Sequence, residues 1–124
     1  MNKLRIAVQK AKLAPYNEEY KAEYKRFALS VLRAIARDLQ LAKESYSIRF
    51  NPGGIAVSGE ATLHSNWFYL TICEVGVMWR TCKGQKDYHG GPNQWAIGFG
   101  RPESDQKQIV EQIKRVCFRP AVGA

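Results

Sequence analysis

The sequence predicts an α+β fold: a two-layer sandwich in which a four- to five-stranded antiparallel sheet carries a long N-terminal helix and a C-terminal helix on one face. Three observations predict it. Residues 17–43 repeat apolar side chains at steps of three and four, residues 46–82 alternate apolar and polar side chains between turn signals, and residues 104–118 return to the helical period. A chain of 124 residues is the size of one domain. Its expected parts are a basic arm over 1–15, a helix over 16–44, a sheet over 46–99 that includes a loop at 83–93, and a helix over 104–118.

Residues 1–14 fit two periods. Leu4, Ile6 and Val8 alternate like a strand, whereas Leu4, Val8 and Ala11 fit a helix; Pro15 ends either one. The segment reads as a frayed arm or a short helix. The next helix has a stripe of Tyr20, Tyr24, Phe27, Ala28, Val31, Ile35 and Leu39. Asn17 is placed to cap it, and Glu18 and Glu19 fall in the first turn, where the helix dipole favours negative charge. Opposite the stripe, Arg26, Ser30, Arg33 and Arg37 form a basic row.

The strands follow. Residues 46–50 alternate and 51–54, Asn-Pro-Gly-Gly, form a turn. Ile55, Val57, Gly59, Ala61 and Leu63 then share one side of a strand. A turn at Ser65 and Asn66 sets Leu63 opposite Phe68 and Ala61 opposite Leu70, with Ile72 and Trp79 on the same face. The other face then holds Arg49, Ser58, Glu60, Thr62, His64, Trp67, Tyr69, Thr71, Met78 and Arg80. With both helices on the apolar side, this second face is expected to be open. Trp95, Ile97 and Phe99 alternate as a short edge strand. Ser104 caps the last helix, whose stripe is Ile109, Ile113 and Val116, and Pro120 marks its end.

The net charge is +8, and half of that excess sits in the first fifteen residues, where Lys3, Arg5, Lys10 and Lys12 meet no acid. Such a segment suits an acidic partner: nucleic acid, an acidic protein patch or an anionic surface. No apolar run approaches the ~20 residues needed to span a bilayer, and the first residues lack a sustained apolar signal region, so neither membrane insertion nor export is expected. Three cysteines, Cys73, Cys82 and Cys117, with no CxxC pair, point to free thiols in a reducing, cytoplasmic setting.

Several groups bear on function. Trp67 and Tyr69, with Arg49, His64 and Arg80 beside them, are the residue types that stack nucleobases and contact phosphates, and equally those that anchor protein interfaces or a homodimer across the open sheet face. The loop 83–93 adds Lys83, Lys86 and His89 among glycines, without Walker spacing. No cofactor, metal set or converging acid–base pair is expected: His64 and His89 are the two histidines, and Cys82, His89 and Cys73 or Asp87 fit no zinc spacing. The order helix, antiparallel strands, helix is similar to that of a double-stranded-RNA-binding domain, but Ser104-Asp105-Gln106-Lys107 lacks that domain's lysine-rich helix start.

Two segments, Gly53-Gly54-Ile55-Ala56-Val57-Ser58-Gly59-Glu60-Ala61-Thr62-Leu63-His64 and the 79–95 stretch Trp-Arg-Thr-Cys-Lys-Gly-Gln-Lys-Asp-Tyr-His-Gly-Gly-Pro-Asn-Gln-Trp, resemble a group of small accessory proteins of tailed bacteriophages and prophages. The resemblance covers under half of the chain. It implies a phage gene product at work in the cytoplasm of an infected bacterial host. With it, the expected function is a non-enzymatic binding protein that engages a host protein or protein–nucleic-acid complex, an anti-defence inhibitor of the anti-CRISPR kind acting by steric occlusion. Its contact residues would be Trp67, Tyr69, Arg80, Arg49, His64, Lys83, Lys86 and His89. The first alternative is a stand-alone nucleic-acid binder that tracks phosphates with Lys3, Arg5, Lys10, Lys12, Arg26, Arg33 and Arg37. The second is a small metal-independent nuclease or transferase using His64 and His89.

Overall fold

The computed structural model of the protein describes residues 3–52, 58–74, 76–87 and 106–118, together with the backbone of 94–98. Within them the chain runs α1 (Lys3–Leu13), a 3-10 turn (Ala14–Tyr16), α2 (Glu18–Asp38), a second 3-10 turn (Lys43–Ser45), β1 (Tyr46–Asn51), β2 (Glu60–Ser65), β3 (Phe68–Cys73), β4 (Gly76–Thr81), β5 (Gln94–Gly98) and α3 (Gln106–Cys117). The five strands form an antiparallel meander in sequence order. The fold is α+β, as the periodicities predict.

The basic arm is a helix. Leu4, Ala7, Val8 and Ala11 make a continuous buried stripe, and the helical period wins over the strand alternation because that stripe has a layer to pack against. Pro15 at the head of the 3-10 turn helps reverse the chain within a few residues, so α1 and α2 lie side by side as a helical hairpin. Lys10 pairs with Glu23 and lies 5.3 Å above the Phe27 ring.

Asn17 caps α2 as expected, accepting the Tyr20 N–H at 2.7 Å. The helix stops at Asp38, short of the expected 44. Gln40 takes a left-handed conformation (φ 55°), its N–H bonds back to Arg37 and that of Leu41 to Ala36, which closes the helix in a Schellman motif. No glycine marks the site. Of the apolar stripe, Tyr24, Ala28, Val31, Ile35 and Leu39 are buried, but Tyr20 at its head is exposed.

In the sheet, Leu63 faces Leu70 and Ala61 faces Ile72, so the β2–β3 turn is Asn66-Trp67 and not Ser65-Asn66. Ser65 fixes it: its hydroxyl oxygen accepts the N–H groups of Trp67 (3.0 Å) and Phe68 (2.9 Å). Moving a turn by one residue changes each pairing by two and leaves every side chain on its face. Ala61, Leu63, Phe68, Leu70, Ile72 and Trp79 are accordingly all fully buried under the helices. Leu4, Leu32, Ile35, Ile109 and Ile113 meet them from the helical layer, and Gln112 of α3 accepts the Trp79 indole N–H at 2.9 Å.

Strand β2 begins at Glu60, later than the alternation predicts. Gly59 has φ +89°, and a Cβ there would stand 2.7 Å from the Phe50 ring. Its carbonyl, with that of Ile72, accepts from the buried Tyr24 hydroxyl at 3.0 and 3.1 Å. Burial raises the pKa of that phenol well above its usual range. Ser58, expected on the open face, instead caps α1: its buried hydroxyl donates to the Ala11 carbonyl. The expected glycine turn at 53–54, the alternation at 55–57, the side chains of the edge strand and the Ser104 cap lie outside the described residues.

Candidate functional site

The polar face of the sheet is built by register. Ser47, His64, Tyr69 and Arg80 stand opposite one another across β1 to β4, and the next row is Arg49, Thr62, Thr71 and Met78. In the first of these rows the contacts are mutual. The Arg80 guanidinium lies 4.3 Å over the Tyr69 ring, and Tyr69 meets His64 edge-on at 4.7 Å. Arg49 reaches the Nδ1 of His64 at 3.2 Å. A guanidinium only donates, so Nδ1 must be the acceptor and Nε2 carries the proton. Nε2 donates it to the Gly84 carbonyl at 2.9 Å.

That last bond shows that this face is covered at one end. After β4 the chain folds back over His64. Asp87 closes the loop, its carboxylate accepting the Lys83 N–H (2.9 Å) while its own N–H bonds to Gly84 (3.0 Å). Gln85 clasps the far side, donating to the Glu44 carbonyl and the Asn66 side chain. His64 has no exposed surface, and Thr62 and Thr71 are also buried. Burial, together with the Arg49 and Arg80 charges, holds the imidazole below its ordinary pKa of 6.5, against the pull of the Gly84 carbonyl and Asp87. The open aromatic platform expected here is therefore only half present.

Trp67 is not part of it. The turn position frees its side chain from the strand alternation, and its ring packs edge-on against Phe118 (5.1 Å), which also touches the core residue Phe68. Trp67 and Tyr69, expected side by side, thus serve different layers. Arg49, Tyr69 and Arg80 are half-buried; Lys83 and Lys86 are exposed on the loop; His89 lies outside the described residues. A nuclease role for His64 would require the loop to lift, since both ring nitrogens are engaged. Burial raises the pKa of the Cys82 thiol, which donates to the Ser65 carbonyl, and pushes Cys117 up to about 11. Among the described residues no three His, Cys, Asp or Glu side chains gather as a metal site needs.

The second group of expected residues is divided over two neighbouring helices, with Lys3 and Lys10 on one side of α1 and Arg5 and Lys12 on the other. The helical hairpin places α1 beside α2 with Lys10 level with Glu23 and Phe27. Seven residues earlier, two turns back on an antiparallel neighbour, Lys3 comes level with the 30–34 stretch of α2. Arg26, Arg33 and Arg37 are exposed on α2 before, within and after that stretch, spanning about 16 Å at the helical rise. Residues 3–13 and 24–37 together hold eight cations and no acid. Glu23 neutralises Lys10, and that contact lowers the Glu23 pKa. Lys3, Arg5, Lys12, Lys25, Arg26, Arg33 and Arg37 all remain exposed. Beside β1 a groove of about 410 Å³ is lined by Glu18, Lys21, Ala22 and Lys25 of α2, and Lys25 lies there 5.5 Å over the Phe50 ring, turned from the arginine row toward the sheet.

No family model matches the chain, and comparison with curated proteins and solved structures finds no match either. Sequence reasoning missed Leu13, Tyr16 and Tyr20 as surface residues; they are 50%, 77% and 40% exposed at the tip of the hairpin. The available signal was Pro15, which turns the chain there and carries Leu13 and Tyr16 outward while Ala14 stays in the core.

Proposed function

We propose that this protein is a non-enzymatic nucleic-acid-binding protein that contacts the phosphate backbone through the outer side of the α1–α2 hairpin. The observation that carries the reading is the union on one helical pair of two stretches that hold cations and no acid. Folded self-repulsion of that kind has a cost, and an anionic partner removes it. A backbone contact by arginine and lysine is strong, sequence-tolerant and dependent on counterion release. The half-buried Arg49, Tyr69 and Arg80, already engaged with one another and with the loop, are less suited to a partner than the exposed ridge. The resemblance of two segments to phage accessory proteins suggests a setting: a host nucleoprotein machine whose nucleic acid the ridge would grip, with steric occlusion as an anti-defence inhibitor of the anti-CRISPR kind would use.

The test is a fluorescence-polarisation titration of labelled DNA and RNA at stepped salt. Log K is expected to fall linearly with log salt. The variant Arg26→Gln, Arg33→Gln, Arg37→Gln should weaken binding to every sequence and flatten the slope by about 0.7 per lost contact for a single strand. Absence of binding to any nucleic acid at low salt rejects this reading.

A further inference from the structure

The sheet is open at β1. That strand is the first of the meander and, among the described residues, pairs with β2 alone, in an unbroken register of six residues. An edge strand turns alternate N–H and C=O groups outward, and proteins blunt such edges with short strands, bulges, prolines or charges. Tyr46–Asn51 contains no bulge and no proline. Its single charge, Arg49, is drawn across the sheet to His64 at 3.2 Å instead of pointing past the edge. Tyr46, Ile48 and Phe50 pack toward the helices yet stay half-buried, whereas Ala61 and Leu63 beside them on β2 have no exposed surface.

On its helix side this edge borders the groove of about 410 Å³, whose walls are Lys21, Ala22 and Lys25 of α2 and Phe50 and Pro52 of the edge itself. A further strand would lie about 4.8 Å beyond β1, with every second side chain entering the groove. Two of the charges there already meet, since Glu18 lies 3.8 Å from Lys21. Lys25 makes no ion pair among the described residues and is held 5.5 Å over the Phe50 ring. The groove therefore offers a guest one cation and an apolar floor.

We infer that β1 docks an extended peptide that adds antiparallel to it as a sixth strand, with an acidic side chain opposite Phe50, against Lys25, and an apolar side chain opposite Ile48, two positions along. Main-chain hydrogen bonds supply the affinity of such an addition, and alternate side chains supply the choice of partner. The site is separate from the hairpin ridge and stands or falls without the nucleic-acid reading. Charge complementarity selects the occupant. A second copy of this chain has no acid within Tyr46–Asn51 to offer Lys25, and it brings a further net charge of +8. A nucleic acid has phosphates for Lys25 but no peptide edge to pair with β1.

The experiment titrates the full chain at low salt with a fluorescent peptide, Thr-Glu-Thr-Val-Thr-Val, and with an analogue that has lysine in place of the glutamate. Two further analogues are N-methylated, one at the odd and one at the even residues. The wild type should bind the acidic peptide and hold the lysine analogue at least about fivefold more weakly, the upper range for one exposed ion pair. Lys25→Glu should reverse that preference, and a thermal melt checks that the variant is folded. One methylated analogue should lose binding and the other keep it, because a strand turns only alternate N–H groups to its neighbour. Equal affinity for the acidic and lysine peptides, an unchanged preference in Lys25→Glu, an equal effect of the two methylations, or no binding at all overturns the inference. Self-association that the peptide displaces, read by sedimentation, gives the edge to a second copy and overturns it likewise.

Discussion

His64 shows how a residue can be placed correctly by the sequence and still be misread. The strand alternation puts it on the polar face, where it is. What the alternation cannot carry is the return of residues 83–87 over that face, because the bond from His64 to the Gly84 carbonyl joins parts of the chain twenty residues apart. The result is a neutral imidazole with no exposed surface, between Arg49 and Gly84 and near Arg80 and Asp87. Its stability contribution follows from linkage. The folded pKa lies below the ordinary 6.5, so at pH values between the two the unfolded chain binds more protons. Stability is therefore fully present above the unfolded value and is lost as pH falls through 6.5 toward the folded one. Urea midpoints should be flat from pH 8 to about 7 and decline below it, and His64→Gln should remove most of that decline. A pH profile unchanged by the substitution would show that the ring is not held neutral by this contact.

Elements were legible where their pattern was local. The strand faces came from alternation alone, and the misplaced β2–β3 turn left the paired residues of β2 and β3 on their expected faces because the error was even in register, while Trp67 in the turn and Ser58 before β2 left theirs. The end of α2 was not legible, since a Gln40 in the left-handed region carries no glycine to announce it. Segment α1 was ambiguous because two periods fit it, and only packing against α2 and the sheet decides between them. This gives a sharp expectation for Leu4, which is fully buried in the core. Leu4→Ala should cost about 2–5 kcal/mol by denaturant unfolding, the range for a buried leucine truncated to leave a cavity. A frayed arm would tolerate the same change at almost no cost, so a loss within ~0.5 kcal/mol would return residues 3–13 to the status of an arm.

At the scale of the whole molecule, charge and fold pull in opposite directions. The core faces inward from one sheet face and three helices, while the outer side of the hairpin concentrates cations that repel one another. Arg33 and Arg37 are one helical turn apart, a spacing at which like charges destabilise a helix by roughly 0.2–0.5 kcal/mol. Arg37 lies in the last turn of α2, where the dipole favours it, so the burden falls on Arg33, whereas Arg26 attracts Glu23 one turn earlier and helps lower its pKa. Glutamine has nearly the helix propensity of arginine, which makes it a clean substitute. Arg33→Gln should therefore stabilise the free protein at 10 mM salt, where the Debye length is about 30 Å, by roughly 0.2–0.5 kcal/mol. The gain should vanish near 1 M salt, where screening acts within about 3 Å. The same variant should bind nucleic acid more weakly. A face kept only for solvation would give the first effect without the second, and a face kept for packing would give a loss of stability instead. Opposite signs in melting and in binding are what a surface held for a polyanion requires.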